Sequence, residues 1–131
     1  MKIFLSIKYH ADHSNREFIE SILTAFESCG HSATCIVRDV EHWGEIQFDA
    51  AELMRRTFAA IDASDWVVVD LTEKGVGVGI EAGYAHANQI PIVTIARRGA
   101  DVSTTLQGIS RTVFYYDDGK DLEQLFSQLS F

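Results

Sequence analysis

Apolar residues fall into two rhythms that alternate to the end of the chain: dense short runs, and longer stretches with hydrophobes three and four positions apart. Ile3, Phe4, Leu5 and Ile7 make the first run and predict a buried strand. Phe18, Ile22 and Phe26, joined by Ile19 and Leu23, make the first helical stripe, with Gly30 as its left-handed stop. Just ahead, Ser14-Asn-Arg-Glu17 reads as a capping box, with Ser14 as N-cap and Glu17 reaching back. Ser32 to Val37 predicts a second strand, ending at Arg38-Asp39. A second helix is expected from about Phe48 to Asp62, with Met54, Phe58 and Ile61 facing inward. Val67, Val68 and Val69, flanked by Trp66 and Leu71, suit a strand buried on both faces. A helix rich in small residues follows over Ile80 to Asn88, and Pro91 opens a fourth strand, Ile92 to Ala96. The polar connection Arg97 to Gly108 holds a short helix, and Val113 to Tyr116 is the fifth strand. After the turn at Asp117-Asp-Gly119, Leu122, Leu125, Phe126 and Leu129 mark a final helix.

Strands that alternate with helices predict a three-layer, doubly wound α/β domain of the flavodoxin-like or Rossmann-like kind, with a five-stranded parallel sheet in the order 2-1-3-4-5. No repeat, linker or low-complexity segment interrupts the pattern, so residues 1–131 are expected to form a single domain. Ligands of such sheets bind beyond the carboxyl ends of the strands, where the strand order reverses. That rule brings Ser6 to His10, Asp70 to Glu81 and Arg97 to Ser103 to one edge.

Composition narrows the function. Hydrophobic residues at 47% and charged residues at 23% fit a globular chain. A net charge of -8 disfavours nucleic acid polymers and anionic membranes, so a phosphate site would have to be local. The chain opens directly into a strand pattern, and no apolar run approaches the ~20 residues of a membrane span, so it reads as cytoplasmic. Cys29 and Cys35 are expected to be buried free thiols.

The chemistry centres on Asp70-Leu-Thr-Glu-Lys-Gly-Val-Gly-Val-Gly-Ile-Glu81. Gly75, Gly77 and Gly79 would let the backbone adopt positive φ and approach a ligand closely. If the helix begins near Gly79, Glu81 lies in its first turn, where unpaired N–H groups and the dipole favour the ionised form. A fixed carboxylate beside a glycine-lined hollow suits a nucleophile. Gly77-Val-Gly-Ile-Glu-Ala82 matches the dinucleotide fingerprint only loosely: it follows the third strand, and no acid stands about 20 positions later. No G-K-[ST] follows the glycines, no Gly-x-Ser-x-Gly elbow appears, and His10, Asp12 and His13 read as a solvated polar turn, so neither metal nor cofactor is expected. The loop Glu41 to Glu45, with His42 and Trp43, sits where a lid or a base-stacking group would sit.

At Gly77-Val-Gly-Ile-Glu-Ala-Gly-Tyr-Ala85, preceded by Asp65-Trp-Val-Val-Val-Asp70 and followed by Ile90-Pro-Ile-Val93, the chain resembles the nucleoside 2-deoxyribosyltransferases and their nucleoside 5'-monophosphate N-glycosidase relatives. The resemblance implies that Glu81 attacks the anomeric carbon of a nucleoside or nucleotide and forms a glycosyl-enzyme ester. Ser6-Ile-Lys8 is similar to the phosphate-binding turn of the N-glycosidases, and Tyr9 lies near the place of a family tyrosine. Ser103 matches a serine that reaches the neighbouring subunit's phosphate site, which implies a homodimer or higher oligomer with shared sites. Two family side chains are replaced: an aspartate that helps hold the sugar aligns with Thr57, and a serine before the glycines aligns with Gly75. Asp70 is the candidate substitute acid or orienter, and a loop-start residue bonding backbone N–H groups is its plainer role. A nucleotide-binding module without turnover and a TIR-like NAD glycohydrolase are the alternative functions.

Overall fold

A computed structural model of the chain describes residues 1–129, so positions 130 and 131 of the expected domain lie outside the described residues. Strands β1 (Lys2–Ser6), β2 (Ser32–Thr34), β3 (Trp66–Asp70), β4 (Ile92–Arg97) and β5 (Thr112–Tyr116) form a parallel sheet in the order 2-1-3-4-5, as expected. The helices are α1 (Arg16–Ser28), α2 (Ile36–Asp39), α3 (Ala50–Asp62), α4 (Val76–Ala87), α5 (Thr104–Ile109) and α6 (Gly119–Gln128). Two apolar cores, one on each face of the sheet, hold the layers together. Side chains alternate across a strand, so β1 sends Ile3 and Leu5 to the α1/α6 side and Phe4 to the α3/α4 side. In β3, Trp66 and Val68 join the first core and Val67 and Val69 the second. Among the described residues no helix is long and apolar enough to cross a membrane.

Four local expectations are corrected. The capping box at Ser14 does not form: Asn15 is the N-cap of α1, without a side-chain cap bond. Ser14 Oγ instead pairs with His10 Nδ1 at 3.0 Å, and Asn15 ties down the strand-end loop, accepting from His10 N and donating to the Lys8 carbonyl. The second strand stops at Thr34, because Asp39 Oδ2 accepts from Cys35 N at 2.9 Å and closes the helical turn α2 over Ile36 and Val37. The α3 helix begins at Ala50 rather than Phe48, since the Asp49 carboxylate accepts from Glu52 N and caps it. Of its expected inward residues, Ile61 is buried while Met54 and Phe58 are half-buried, and Thr57 takes a buried place.

The fourth correction bears on function. The α4 helix starts at Val76, so Gly77 and Gly79 are helical rather than loop residues, and Gly75 is an extended N-cap with φ -158°. Glu81 therefore lies past the first turn, and none of the three glycines has positive φ. A side chain at Gly79 would meet nothing, and nothing in the structure explains that glycine.

In the α1/α6 layer Phe26 stacks on Phe126, ring centroids 4.0 Å apart and both fully buried. Phe26→Ala should lower stability by about 3 to 5 kcal/mol. Urea unfolding checks this: the midpoint falls and the slope stays near wild type.

Candidate active site

Strand alternation selects what faces the crevice between β1 and β3. Ser6, on the same face as Phe4, points toward α4, which rests on the sheet through Val78, Ala82 and Ala85. That seating brings Glu81 beside the end of β1, where Ser6 Oγ donates to Glu81 Oε2 at 2.9 Å. Ser6 was expected at a phosphate; the structure gives its hydroxyl to the carboxylate.

Glu81 borders a cavity of about 340 Å³ at the carboxyl ends of β1 and β3, together with Lys8, Tyr9, Glu41, Thr57, Gly75 and Gly77. A Cβ on Gly77 would meet no atom, and one on Gly75 would lie 3.6 Å from the Lys8 stem, so Lys8 folds across the glycine end of the cavity. Gly79 is not among the residues lining it. Burial pushes the Glu81 carboxyl up to about 7, against the bond from Ser6, which favours the ionised form. The expectation of a carboxylate held charged by a helix start is thereby overturned: α4 begins too early for its free N–H groups to reach Glu81.

Asp70 faces away from this cavity. It follows the register of Trp66 and Val68 onto the α1/α6 side, where its carboxylate accepts from Tyr116 Oη at 2.5 Å and from Thr72 N at 2.9 Å. Its bond to Thr72 N is that of a loop-start residue, and burial raises its pKa above the usual range. It lines a separate cavity of about 320 Å³ with Lys8, Asn15, Phe18 and Arg97. Lys8 borders both cavities.

The remaining candidates divide. Tyr9 lines the Glu81 cavity, bonds His13 through its hydroxyl and lies 5.7 Å from the Trp43 ring. Ser103 caps α5, accepting from Thr105 N at 3.2 Å, and lines none of these cavities. Thr57 is buried with its hydroxyl donating to the Leu53 carbonyl at 2.8 Å. His10 pairs with Glu73, and among the described residues no group of three or more His, Cys, Asp or Glu side chains is arranged to hold a metal. Both cysteines are free thiols; Cys29 is half-buried rather than buried, and burial pushes Cys35 up to about 12, which keeps that thiol protonated. Glu41, a half-buried carboxyl on the cavity wall, escaped the sequence reading as a site residue. Its one signal there was an acid heading a loop with a large aromatic.

No protein-family model matches the chain. A protein of Thermofilum pendens that bears the name 2'-deoxynucleoside 5'-phosphate N-hydrolase 1 is 27% identical over 136 aligned positions, covering 98% of this chain and 95% of that protein. Among solved structures, a 2-deoxyribosyltransferase of Bacillus psychrosaccharolyticus superposes with a TM-score of 0.77 at 12% identity, over 100% of this chain and 93% of its own. A CMP N-glycosidase of Clostridium botulinum gives a TM-score of 0.67 at 18% identity, over 98% and 100% of the two chains. These two structures share the fold.

The Glu81 environment makes a stability prediction. Because the folded chain holds the Glu81 proton up to about 7 against an ordinary 4.5, stability from this group is full at low pH and is lost as pH rises through that window, by on the order of 3 kcal/mol. Glu81→Gln removes the ionisation and should raise the unfolding midpoint above wild type at pH 8, with the gap closing toward pH 5. A gap that does not change with pH would contradict the burial account.

Proposed function

We propose that this chain, a divergent member of the nucleoside 2-deoxyribosyltransferase family, cleaves the N-glycosidic bond of a nucleoside or nucleoside 5'-monophosphate with Glu81 as nucleophile. The observation that carries the reading is the Glu81 carboxyl, fixed by Ser6 on the wall of a sugar-sized cavity where ligands of this fold bind. The relative's name, 2'-deoxynucleoside 5'-phosphate N-hydrolase, supports the substrate class.

In the first step a Glu81 oxygen bonds to the anomeric carbon as the carbon–nitrogen bond breaks and its electron pair leaves with the base. In the second, water or another base attacks the same carbon, and the ester electrons return to Glu81. Ser6 is a positioning residue that holds the attacking carboxylate. Lys8 suits the phosphate: its stem folds across the glycine end of the Glu81 cavity, and it has no carboxylate partner among the described residues. The backbone at Gly75 and Gly77 completes that end, and Tyr9 borders the sugar. Asp70 orients the loop after β3 through Thr72, whose Oγ1 accepts from Arg97 N. Ser103, which lines none of the cavities described above, serves the site of a second copy in a homodimer. A second reading, nucleotide binding without turnover, rests on Thr57, whose committed hydroxyl replaces the family aspartate.

Chromatography of free base released from a panel of deoxynucleoside and ribonucleoside monophosphates tests the proposal. Wild type should release base from at least one, with the ionisation of Glu81 near pH 7 setting the acid limb of its rate profile, and Glu81→Gln should lose that rate on the order of a thousandfold or more. Nucleotide-induced thermal stabilisation without release would support the binding module instead.

A further inference from the structure

We propose that Glu41 is the acid that protonates the departing base, and that the base leaves into an aromatic cavity walled by Tyr9 and Trp43. The inference rests on the reading of Glu81 as nucleophile.

A nucleobase departs poorly as an anion, so cleavage at useful rates calls for a proton donor beside the bond that breaks. Thr57 is no such donor, because its hydroxyl is committed to the Leu53 carbonyl, and Asp70 lies on the other face of the sheet. Among the described residues lining the Glu81 cavity, Glu41 is the other carboxylic acid.

Its position fits the task. A neighbouring cavity of about 550 Å³ is bordered by Tyr9, His13, Arg16, Glu41, Trp43 and Glu45, and it shares Tyr9 and Glu41 with the cavity of Glu81. A nucleotide with its sugar against Glu81 and its flat base against Tyr9 and Trp43 would place its glycosidic bond at that junction, which Glu41 borders. The Tyr9 and Trp43 rings lie 5.7 Å apart at 56°, and the Arg16 guanidinium sits 4.6 Å from the Trp43 ring centre. These groups provide stacking surfaces for a planar heterocycle.

The backbone is bent to make this wall. Glu41 N donates to the Ile36 carbonyl at 2.9 Å, and the Glu41 carbonyl accepts from Gly44 N and Ile46 N, each at 3.0 Å. Between them His42, Trp43 and Gly44 all have positive φ, at 47°, 58° and 93°. Such conformations are unfavourable for residues with side chains and collect at ligand sites. The Glu41 carboxyl itself has no hydrogen-bond or ion-pair partner among the described residues, which leaves it free for a ligand. Burial raises its pKa above the usual carboxylate range, so it keeps its proton longer than a surface acid would.

The proton balance closes. The Glu41 carboxyl passes its proton to a ring nitrogen or carbonyl oxygen of the base as the carbon–nitrogen electron pair leaves and Glu81 forms the ester. The Glu41 carboxylate then takes a proton from the water that attacks the anomeric carbon, and Glu81 is released as a carboxylate.

The test compares leaving groups. For each nucleotide that wild type cleaves, its rate is measured beside that of an analogue with a better-leaving base, N7-methylated for a purine or 5-fluorinated for a pyrimidine. Glu41→Gln should lose on the order of a hundredfold or more in kcat/KM, which reads the base-departure step, on the parent nucleotide, and at least about tenfold less on the analogue. A thermal melt at wild-type temperature shows that the variant folds. Equal loss of kcat/KM on both substrates, or loss on neither, would overturn the role of Glu41 while leaving Glu81 in place, since Glu81→Gln should abolish both. Failure of wild type to cleave any nucleotide overturns the two assignments together.

Discussion

A hydroxyl at the last residue of β1 and a carboxyl on α4 meet at 2.9 Å, and the candidate site is organised around that contact. It forms because Ser6 is held in the sheet by its parallel pairing with Val69 and α4 is held down by Val78, Ala82 and Ala85. The small alanines let the helix axis lie close enough for a glutamate to reach a serine rather than overshoot it. The same burial that fixes the carboxyl also raises its pKa to about 7. Position and ionisation are therefore coupled: a looser helix would leave a more acidic but less directed group.

The sheet also divides labour between its faces. Ser6 and Asp70 end adjacent strands, yet side-chain alternation sends them to opposite layers. Asp70 settles into a hydrogen bond with Tyr116 and braces the β3–α4 loop, while the Ser6 face keeps the cavity with Glu81. Lys8, just past β1, borders both sides and supplies a cation with no carboxylate partner among the described residues, in a chain with a net charge of -8. A phosphate there would meet one of the few local reversals of the chain's overall repulsion of anions.

Much of the architecture was legible because its signals are local and strong. The valine run of β3, the helical stripes of α1 and α6, and the strand-helix alternation lead to the 2-1-3-4-5 sheet. The failures came where a side chain had several competing partners. Ser14 turned to His10 instead of capping α1, and Asp39 closed a helical turn over residues whose β-branching suggested strand. The glycines before Glu81 looked like loop because glycine is a poor helix former, yet α4 runs through Gly77 and Gly79. The glycine-rich stretch drew attention to Glu81, which the fold places on a cavity wall, but its elevated pKa was not legible, since desolvation belongs to the packed cavity. Glu41 was harder still: it shares a cavity wall with Glu81 just ahead of a turn of three positive-φ residues that no periodicity announces.

The central claim is that the Glu81 oxygen becomes covalently bound to the sugar during turnover. The most direct measurement uses a 2'-fluorinated nucleotide, whose electron-withdrawing fluorine slows hydrolysis of the ester, followed by acid quench, digestion and mass spectrometry. The account predicts a glycosyl adduct on the peptide carrying Glu81. An adduct on another residue, or loss of base release on treatment with the analogue with no adduct on Glu81, would contradict it.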